Sequence, residues 1–282
     1  MRVQIEPDLA AFAAGALPFL RRDTATGNVI AAGVRARLDG LTDLEADAMW
    51  LSVLDDGELV GVAMLTPPHK LCLPGLPEPV VVALADALCE LRPDLPGITG
   101  PRAAVERFVA RWSVRMGAPA RRGTSRTVYE LTEPLIPDGV PGNARRAVPA
   151  DRELLADWFE AFTRDVNGPV RRTRRERLDI VDRRVDRGLL WLWEDAGTPV
   201  SMALRLDAVE GVSRITAVYT PDEHRGRGYA AASVSRLCAG LLATEEVERC
   251  MLYADQDNPT SNGVYRRIGF VPAVEAVDYS FG

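Results

Sequence analysis

Two histidines and four cysteines are all that the 282 residues offer a borderline metal ion, and no CxxC pair or histidine cluster gathers them. Cys72, Cys89, Cys238 and Cys250 stand apart among apolar neighbours, the pattern of small buried hydrophobes. No metal is expected. No apolar run approaches the roughly 20 residues that cross a bilayer. The opening Met1-Arg-Val-Gln-Ile-Glu6 has neither the apolar core nor the small-residue cleavage site of a secretion signal. The expectation is a cytoplasmic location with no membrane partner. An excess of positive charge is also missing: the formal net charge is −6, the wrong sign for a phosphate-backbone binder, so nucleic acid is not an expected partner. The GxxxxGK[ST] pattern is absent, which excludes a P-loop nucleotide site.

What remains is the composition of a folded protein, 47% hydrophobic and 26% charged, too apolar for disorder. The length suits two domains of roughly 140 residues each. Three prolines and two glycines fall in Pro134-Leu-Ile-Pro-Asp-Gly-Val-Pro-Gly-Asn143, which reads as a connection between them. The expected division is therefore 1–137, a linker at 138–143, and 144–282. An internal echo supports it. Trp50 to Leu65 and Leu190 to Arg205 both read as strand, glycine turn, strand, and at an offset of 140 Gly57 matches Gly197, Val60 matches Val200 and Ala63 matches Ala203. Two hairpins repeated at the domain period point to two copies of one fold.

In the second half the pattern predicts a helix over 151–162, an Arg-rich helix, the hairpin at 189–206, a strand at 213–219, a helix at 230–242, a strand at 249–254, a short helix at 260–268 and a terminal strand. The order implies a mixed sheet covered by helices. The Arg-rich stretch holds Arg171, Arg172, Arg174, Arg175, Arg177, Arg183, Arg184 and Arg187 among Glu176, Asp179, Asp182 and Asp186. Such a mixed run suits a solvated helix laced with i,i+4 ion pairs, or else a wall that attracts an anionic substrate.

The stretch Thr220-Pro-Asp-Glu-His-Arg-Gly-Arg-Gly-Tyr-Ala-Ala231 ends a strand, carries two glycines and starts a helix at once. Glycines let a ligand approach the backbone, and the first amides of a helix have no intrahelical partner, so this is a cradle for an anion, with phosphate the natural one. Gly226-x-Gly228-x-x-Ala231 also fits a relaxed dinucleotide fingerprint, although that fold opens a domain with several βα repeats and only about fifty residues follow here.

Arg225-x-x-Gly228-x-Ala230, followed by Asn258-Pro-Thr-Ser-Asn-Gly-Val-Tyr-Arg-Arg-Ile-Gly-Phe270, resembles the two cofactor motifs of the GNAT superfamily of acyl-CoA N-acyltransferases, over residues 144–282. The resemblance implies an α/β fold of the α+β kind: tandem GNAT-like domains, each a mixed, mainly antiparallel sheet flanked by helices. It implies acetyl-CoA as cosubstrate and an unidentified primary amine as acceptor. By position, Val218 and Thr220 would offer strand-end backbone groups to the pantetheine arm. Arg225, Gly226, Arg227, Gly228, Tyr229 and Ala230 would hold the pyrophosphate, and Asn258 and Ser261 would stand by the cofactor arm. Tyr265 would be the catalytic acid beside the sulfur, since a phenol can protonate or stabilise a departing thiolate.

Many family members carry a Glu on the strand before the loop, but Ser213 to Val218 has no acid, leaving Glu210, Asp222, Glu223 or water as the base. No His stands near Ser261 or Asn262 in sequence to make a nucleophile of either. The first half reads as a degenerate copy, because Thr99-Gly-Pro-Arg-Ala103 does not make the loop. The expected function is N-acetyl transfer; an acyl-CoA sensor of the same fold and a dinucleotide-dependent enzyme are the alternatives.

Overall fold

The computed structural model describes residues 1–167 and 172–281, so that Arg171 lies outside the described residues. In chain order the elements are β1 (Arg2–Ile5), α1 (Leu9–Leu20), α2 (Thr24–Leu38), β2 (Met49–Asp55), β3 (Glu58–Leu65), β4 (Leu71–Cys72), α3 (Glu78–Leu91), β5 (Gly97–Pro101), α4 (Arg102–Met116) and β6 (Ala120–Leu131). They continue as β7 (Asn143–Arg146), α5 (Arg152–Asn167), α6 (Arg174–Asp186), β8 (Leu190–Asp195), β9 (Thr198–Arg205), β10 (Val212–Tyr219), α7 (Tyr229–Leu242), β11 (Arg249–Asp255), α8 (Pro259–Arg267) and β12 (Val271–Phe281). The second ten repeat the order of the first.

The chain forms two compact units. The first holds Met1–Val128, Ala254–Asp257 and Pro272–Gly282; the second holds Tyr129–Tyr253 and Asn258–Val271. In the first, β1, β2, β3 and β4 pair antiparallel in turn and β4 pairs parallel with β5. In the second, β7, β8, β9 and β10 pair antiparallel in turn and β10 pairs parallel with β11. A sheet with one parallel pair is not the all-parallel platform of a dinucleotide fold.

The echoed hairpins match in detail. Asp56 and Gly57 (φ 49° and 89°) and Ala196 and Gly197 (φ 47° and 79°) both make two-residue turns with positive φ at each central position, the geometry that follows strand twist. Each hairpin also slips register at one point, between Val53 and Leu54 in one and between Trp193 and Glu194 in the other, again 140 residues apart. Aliphatic side chains from each hairpin enter separate cores: Leu51, Val53, Ala63 and Leu65 in one, Leu190, Leu192, Met202 and Leu204 in the other.

Residues 134–143 are irregular, as their prolines and glycines predict, but they are packed rather than free. Trp193 Nε1 donates to Pro141 O (2.8 Å), Ser235 Oγ donates to Leu135 O (2.8 Å), and Val140 lies against Trp193 and Tyr229. By its contacts this segment belongs to the second unit.

The terminal strand belongs to the first. β12 pairs antiparallel with β5 from Ala276–Pro101 to Ser280–Gly97. Gly97 in β5 makes room for it, since a Cβ there would stand 2.1 Å from Tyr279 O; Gly100 makes room on the β4 side, where a Cβ would stand 2.4 Å from Leu73 O. Asp278 pairs with Lys70 and accepts from Thr124 N (3.1 Å), and Phe281 stacks on Trp112 with ring centres 4.9 Å apart. Replacing Phe281 with Ala should lower stability by about 2 kcal/mol, less than a fully buried Phe→Ala because the ring is only partly covered. Urea unfolding followed by Trp fluorescence reads this directly, and an unchanged midpoint would show that the strand end does not hold the unit together.

Candidate functional site

The site begins where two strands part. β10 and β11 pair only at Val212–Arg249, Ser213–Cys250 and Arg214–Met251, yet β10 runs on to Tyr219 and β11 to Asp255. On its other edge β10 stays with β9, but four residues, from Thr216 to Tyr219, are set against three, from Leu204 to Met202. The extra residue is a bulge at Ala217 (φ 45°), an unusual conformation for a residue with a side chain. Val218 sits directly after it. The backbone of 215–219 therefore faces an opening on the β11 side instead of a ladder.

The connection to α7 is tied by its own side chains. Thr220 Oγ1 lies 2.9 Å from Ser201 Oγ, which also bonds Tyr219 O. Arg225 Nε donates to Thr220 O (2.9 Å), and its guanidinium pairs with Asp222 (2.7 Å) and Asp165 (3.7 Å). Arg225 thus braces the loop. Gly226 and Gly228 have φ of 78° and 83°, and Gly228 caps α7 without any side chain. Among the described residues, none of the backbone amides from Gly226 to Ala231 finds an acceptor. They are the free donors of a helix N-terminus, backed by its dipole, with Arg227 exposed beside them. Tyr229 turns inward instead: it is buried and its hydroxyl donates to Asp195 Oδ2 (2.6 Å), a bond that raises its pKa. Ala230 follows in the first turn.

Asn258 caps α8, its Oδ1 accepting from Ser261 N (3.0 Å), while its carbonyl accepts from Asn262 Nδ2 (2.7 Å). Asn262 Oδ1 accepts from Tyr129 OH (2.8 Å). One turn on, the ring of Tyr265 meets Tyr129 (6.4 Å between centres) and Phe270 (5.9 Å, edge-on). The residue as a whole is partly accessible, but packed protein atoms desolvate it and push its pKa up to about 12, with Cys238 nearby a second cause. Among the described residues its hydroxyl has no hydrogen-bond partner.

Beside β10 lies a cavity of about 380 Å³, which Thr216 and Ala217 line together with Phe159, Glu160, Phe162, Thr163 and Arg164 from α5, Ile180 and Arg184 from α6, and Leu204, Leu206 and Arg214. Sequence reasoning named none of the α5 side chains, because an amphipathic pattern shows that a helix buries a face without showing what space the face leaves. The candidate bases lie elsewhere: Asp222 and Glu223 are exposed in the loop, and Glu210 is at a tight turn (φ 51°) before β10. Glu160, the acid that does line the cavity, pairs with Arg177.

A family model described as "Acetyltransferase (GNAT) family" matches residues 152–270. Over these residues the chain has a domain that matches the GNAT family. Solved structures with the same fold span the chain: a GCN5-related N-acetyltransferase from Sphaerobacter thermophilus (19% identity, 99% of this chain and 94% of that one, TM-score 0.66) and a GNAT-family acetyltransferase from Colwellia psychrerythraea (13%, 100% of both, 0.59). A tandem GNAT protein from the clavulanic acid biosynthesis pathway also matches (15%, 99% of this chain and 98% of that one, 0.59). No curated protein matches the sequence. The fold is therefore a tandem of GNAT-like units, each with a mainly antiparallel sheet flanked by helices, and the GNAT family uses acetyl-CoA. No helix among the described residues is long and apolar enough to cross a membrane, and no three His, Cys, Asp or Glu gather there as metal ligands.

In the first unit, element order makes the β4–α3 connection the counterpart of the glycine loop, rather than 99–103, where sequence reasoning looked for it. There Pro77 caps the helix, Glu78 follows and Pro79 lacks an amide. A carboxylate and a missing donor stand where the GNAT domain has open amides.

Because its pKa is raised, Tyr265 should stay protonated through pH 11, and the stability it adds below pH 10 should fade as pH climbs toward 12. Tyrosine Cζ resonances, assigned with Tyr265→Phe, would show one titration well above the ordinary value of about 10. Titration of Tyr265 near 10 would mean that its hydroxyl is solvated.

Proposed function

We propose that the second unit transfers an acetyl group from acetyl-CoA to the nitrogen of a primary amine by direct attack, and that the first unit is a GNAT-like copy without a cofactor site. The observation that carries this reading is the row of acceptor-free amides from Gly226 to Ala231 at the mouth of the opening between β10 and β11. A pyrophosphate needs such donors, and a pantetheine arm needs an unpaired strand edge. Arg225 to Ala230 hold the first; backbone groups of Val218 and Thr220 hold the second, with Asn258 and Ser261 at the start of α8 alongside.

The amine nitrogen adds to the thioester carbon, the C–S bond breaks, and the nitrogen keeps the acetyl group while the sulfur leaves with the bonding pair and takes a proton. Tyr265 is the donor aimed at that sulfur. With a pKa of about 12 against about 8.5 for a thiol, outright transfer from the phenol is uphill by roughly 5 kcal/mol. Its contribution is a hydrogen bond that strengthens as charge develops on sulfur, the proton passing only as the nitrogen's own proton replaces it. With no acid on β10 and Glu160 occupied by Arg177, the incoming ammonium loses its first proton to water.

Gly226→Asp tests the cradle. A Cβ there meets nothing within 4 Å, and Asp tolerates positive φ better than most residues, so the fold should survive while a carboxylate enters the anion site. Calorimetric titration should show acetyl-CoA binding to the wild type and at least about tenfold weaker binding to the variant, the loss of one charge-assisted contact. Equal affinity would remove the cofactor assignment. Tyr265→Phe should keep the acetyl-CoA affinity and lose about a hundredfold in kcat; an unchanged kcat would take Tyr265 out of the chemistry.

A further inference from the structure

The acetyl-transfer reading leaves the acceptor open, and the cavity beside β10 narrows it. Its apolar wall is Phe159, Phe162, Ile180, Leu204 and Leu206, while Arg164 from α5, Arg172 just ahead of α6, Arg177 and Arg184 from α6 and Arg214 from β10 reach it. Against these cations the lining has one carboxylate, Glu160, already paired with Arg177.

Other ion pairs on these helices bypass the cavity. Arg174 pairs with Glu153, and Arg152 with Asp182, which bind α5 to α6 on the outside. Arg175 and Asp179 make an i,i+4 pair at 4.0 Å. Among the described residues, Arg164, Arg172 and Arg184 make no ion pair with a carboxylate. Arg184 lies over the Phe159 ring at 5.3 Å and donates to Ile180 O (2.7 Å), a neutral acceptor on its own helix. The Nε of Arg177 is buried with no partner. Burial lowers the Arg184 pKa, and the charges of Arg183 and of Arg172, the second of which also lines the cavity, lower it further, so Arg172 and Arg184 repel one another there. An anion between them would relieve that repulsion and supply the missing acceptors.

We infer that the acceptor is a small amine carrying an oxyanion, carboxylate or phosphate, on an apolar body. The oxyanion sits among Arg172, Arg177 and Arg184 and the amine points to Thr216 and Ala217, next to the strand edge assigned to the pantetheine arm. This rests on the acetyl-transfer reading for the amine, but its anion site stands on the cavity alone.

Two matched pairs test it: phenylalanine against phenethylamine, and O-phosphoethanolamine against ethanolamine, each pair differing by the oxyanion. Acetylation is followed by release of CoA thiol, with rates corrected for the free-base fraction. At least one anionic member should exceed its neutral partner by about tenfold or more in kcat/KM, and which pair does so separates carboxylate from phosphate. Arg172→Gln, at an exposed position, and Arg184→Gln should each shrink that ratio, chiefly through KM, at unchanged acetyl-CoA affinity. Neutral amines turning over as well as anionic ones, or a ratio that survives both substitutions, overturns the inference while leaving acetyl transfer intact. If acetyl-CoA does not bind and no amine turns over, the acetyl-transfer reading fails instead. Thermal shift with the same four amines then decides the cavity: a larger shift from the anionic members, lost in the variants, upholds the anion site, and equal shifts dismiss it.

Discussion

The site depends on β10 leaving β11 after three paired residues. A parallel pair that continued to Tyr219 would consume the backbone groups of 215–219 in its own ladder and close the opening. The bulge at Ala217 adds one residue on the β9 side and turns the strand away, at the cost of a positive φ that an alanine adopts only under constraint. The constraint is visible. Ala217 is buried among Leu190, Leu192, Met202 and Leu204, and Ser201, buried on β9, bonds both Tyr219 O and Thr220 Oγ1. Tyr229, anchored on Asp195, fixes the start of α7 from below. The cradle above needs no side chain of its own, because Gly226 and Gly228 only have to keep out of the way.

The same scaffold without the cradle stands in the first unit. Element order, strand pairing, hairpin turns and even the register slip recur, so the architecture does not depend on the glycine loop. What differs is chemistry at one helix start. Pro77-Glu-Pro79 gives α3 a stiff entry and a favourable first-turn carboxylate, which are good for helix stability and poor for phosphate. Gly226 and Gly228 reverse both preferences, giving up local stability for open donors.

Much of this was legible in the sequence. The hairpins showed as glycine turns between apolar runs, and the loop showed because two glycines between a strand and a helix have few other uses. The placement of β12 was not legible, since alternation in Val271 to Phe281 marks a strand but not its sheet. Its local traces are Gly97 in β5 and Gly123 in β6, where a side chain would strike Tyr279 O or the Asp278 carboxylate. The packing of 134–143 was hidden for a similar reason, because prolines and glycines signal irregular backbone whether or not Trp193 is waiting to cover it. The Arg-rich run suits either i,i+4 pairs or an anion-attracting wall; one i,i+4 pair, Arg175–Asp179, is present, and the partners Glu153 and Glu160 come from α5, about twenty residues earlier in the chain.

Those arginines also argue about purpose. A guanidinium held over Phe159 and bonded only to its own helix loses hydration without gaining a counter-charge, so Arg184 contributes little to stability there, and leucine or methionine would fill the space at less cost. Arg177 differs, since Glu160 supplies its counter-charge and only its buried Nε lacks an acceptor. Exposed Arg164 and Arg172 at the rim add field without adding packing. Cations that do not serve the fold, gathered on an apolar cavity that ends at the strand edge where an acetyl group would arrive, are best accounted for by an anion that the protein binds and releases.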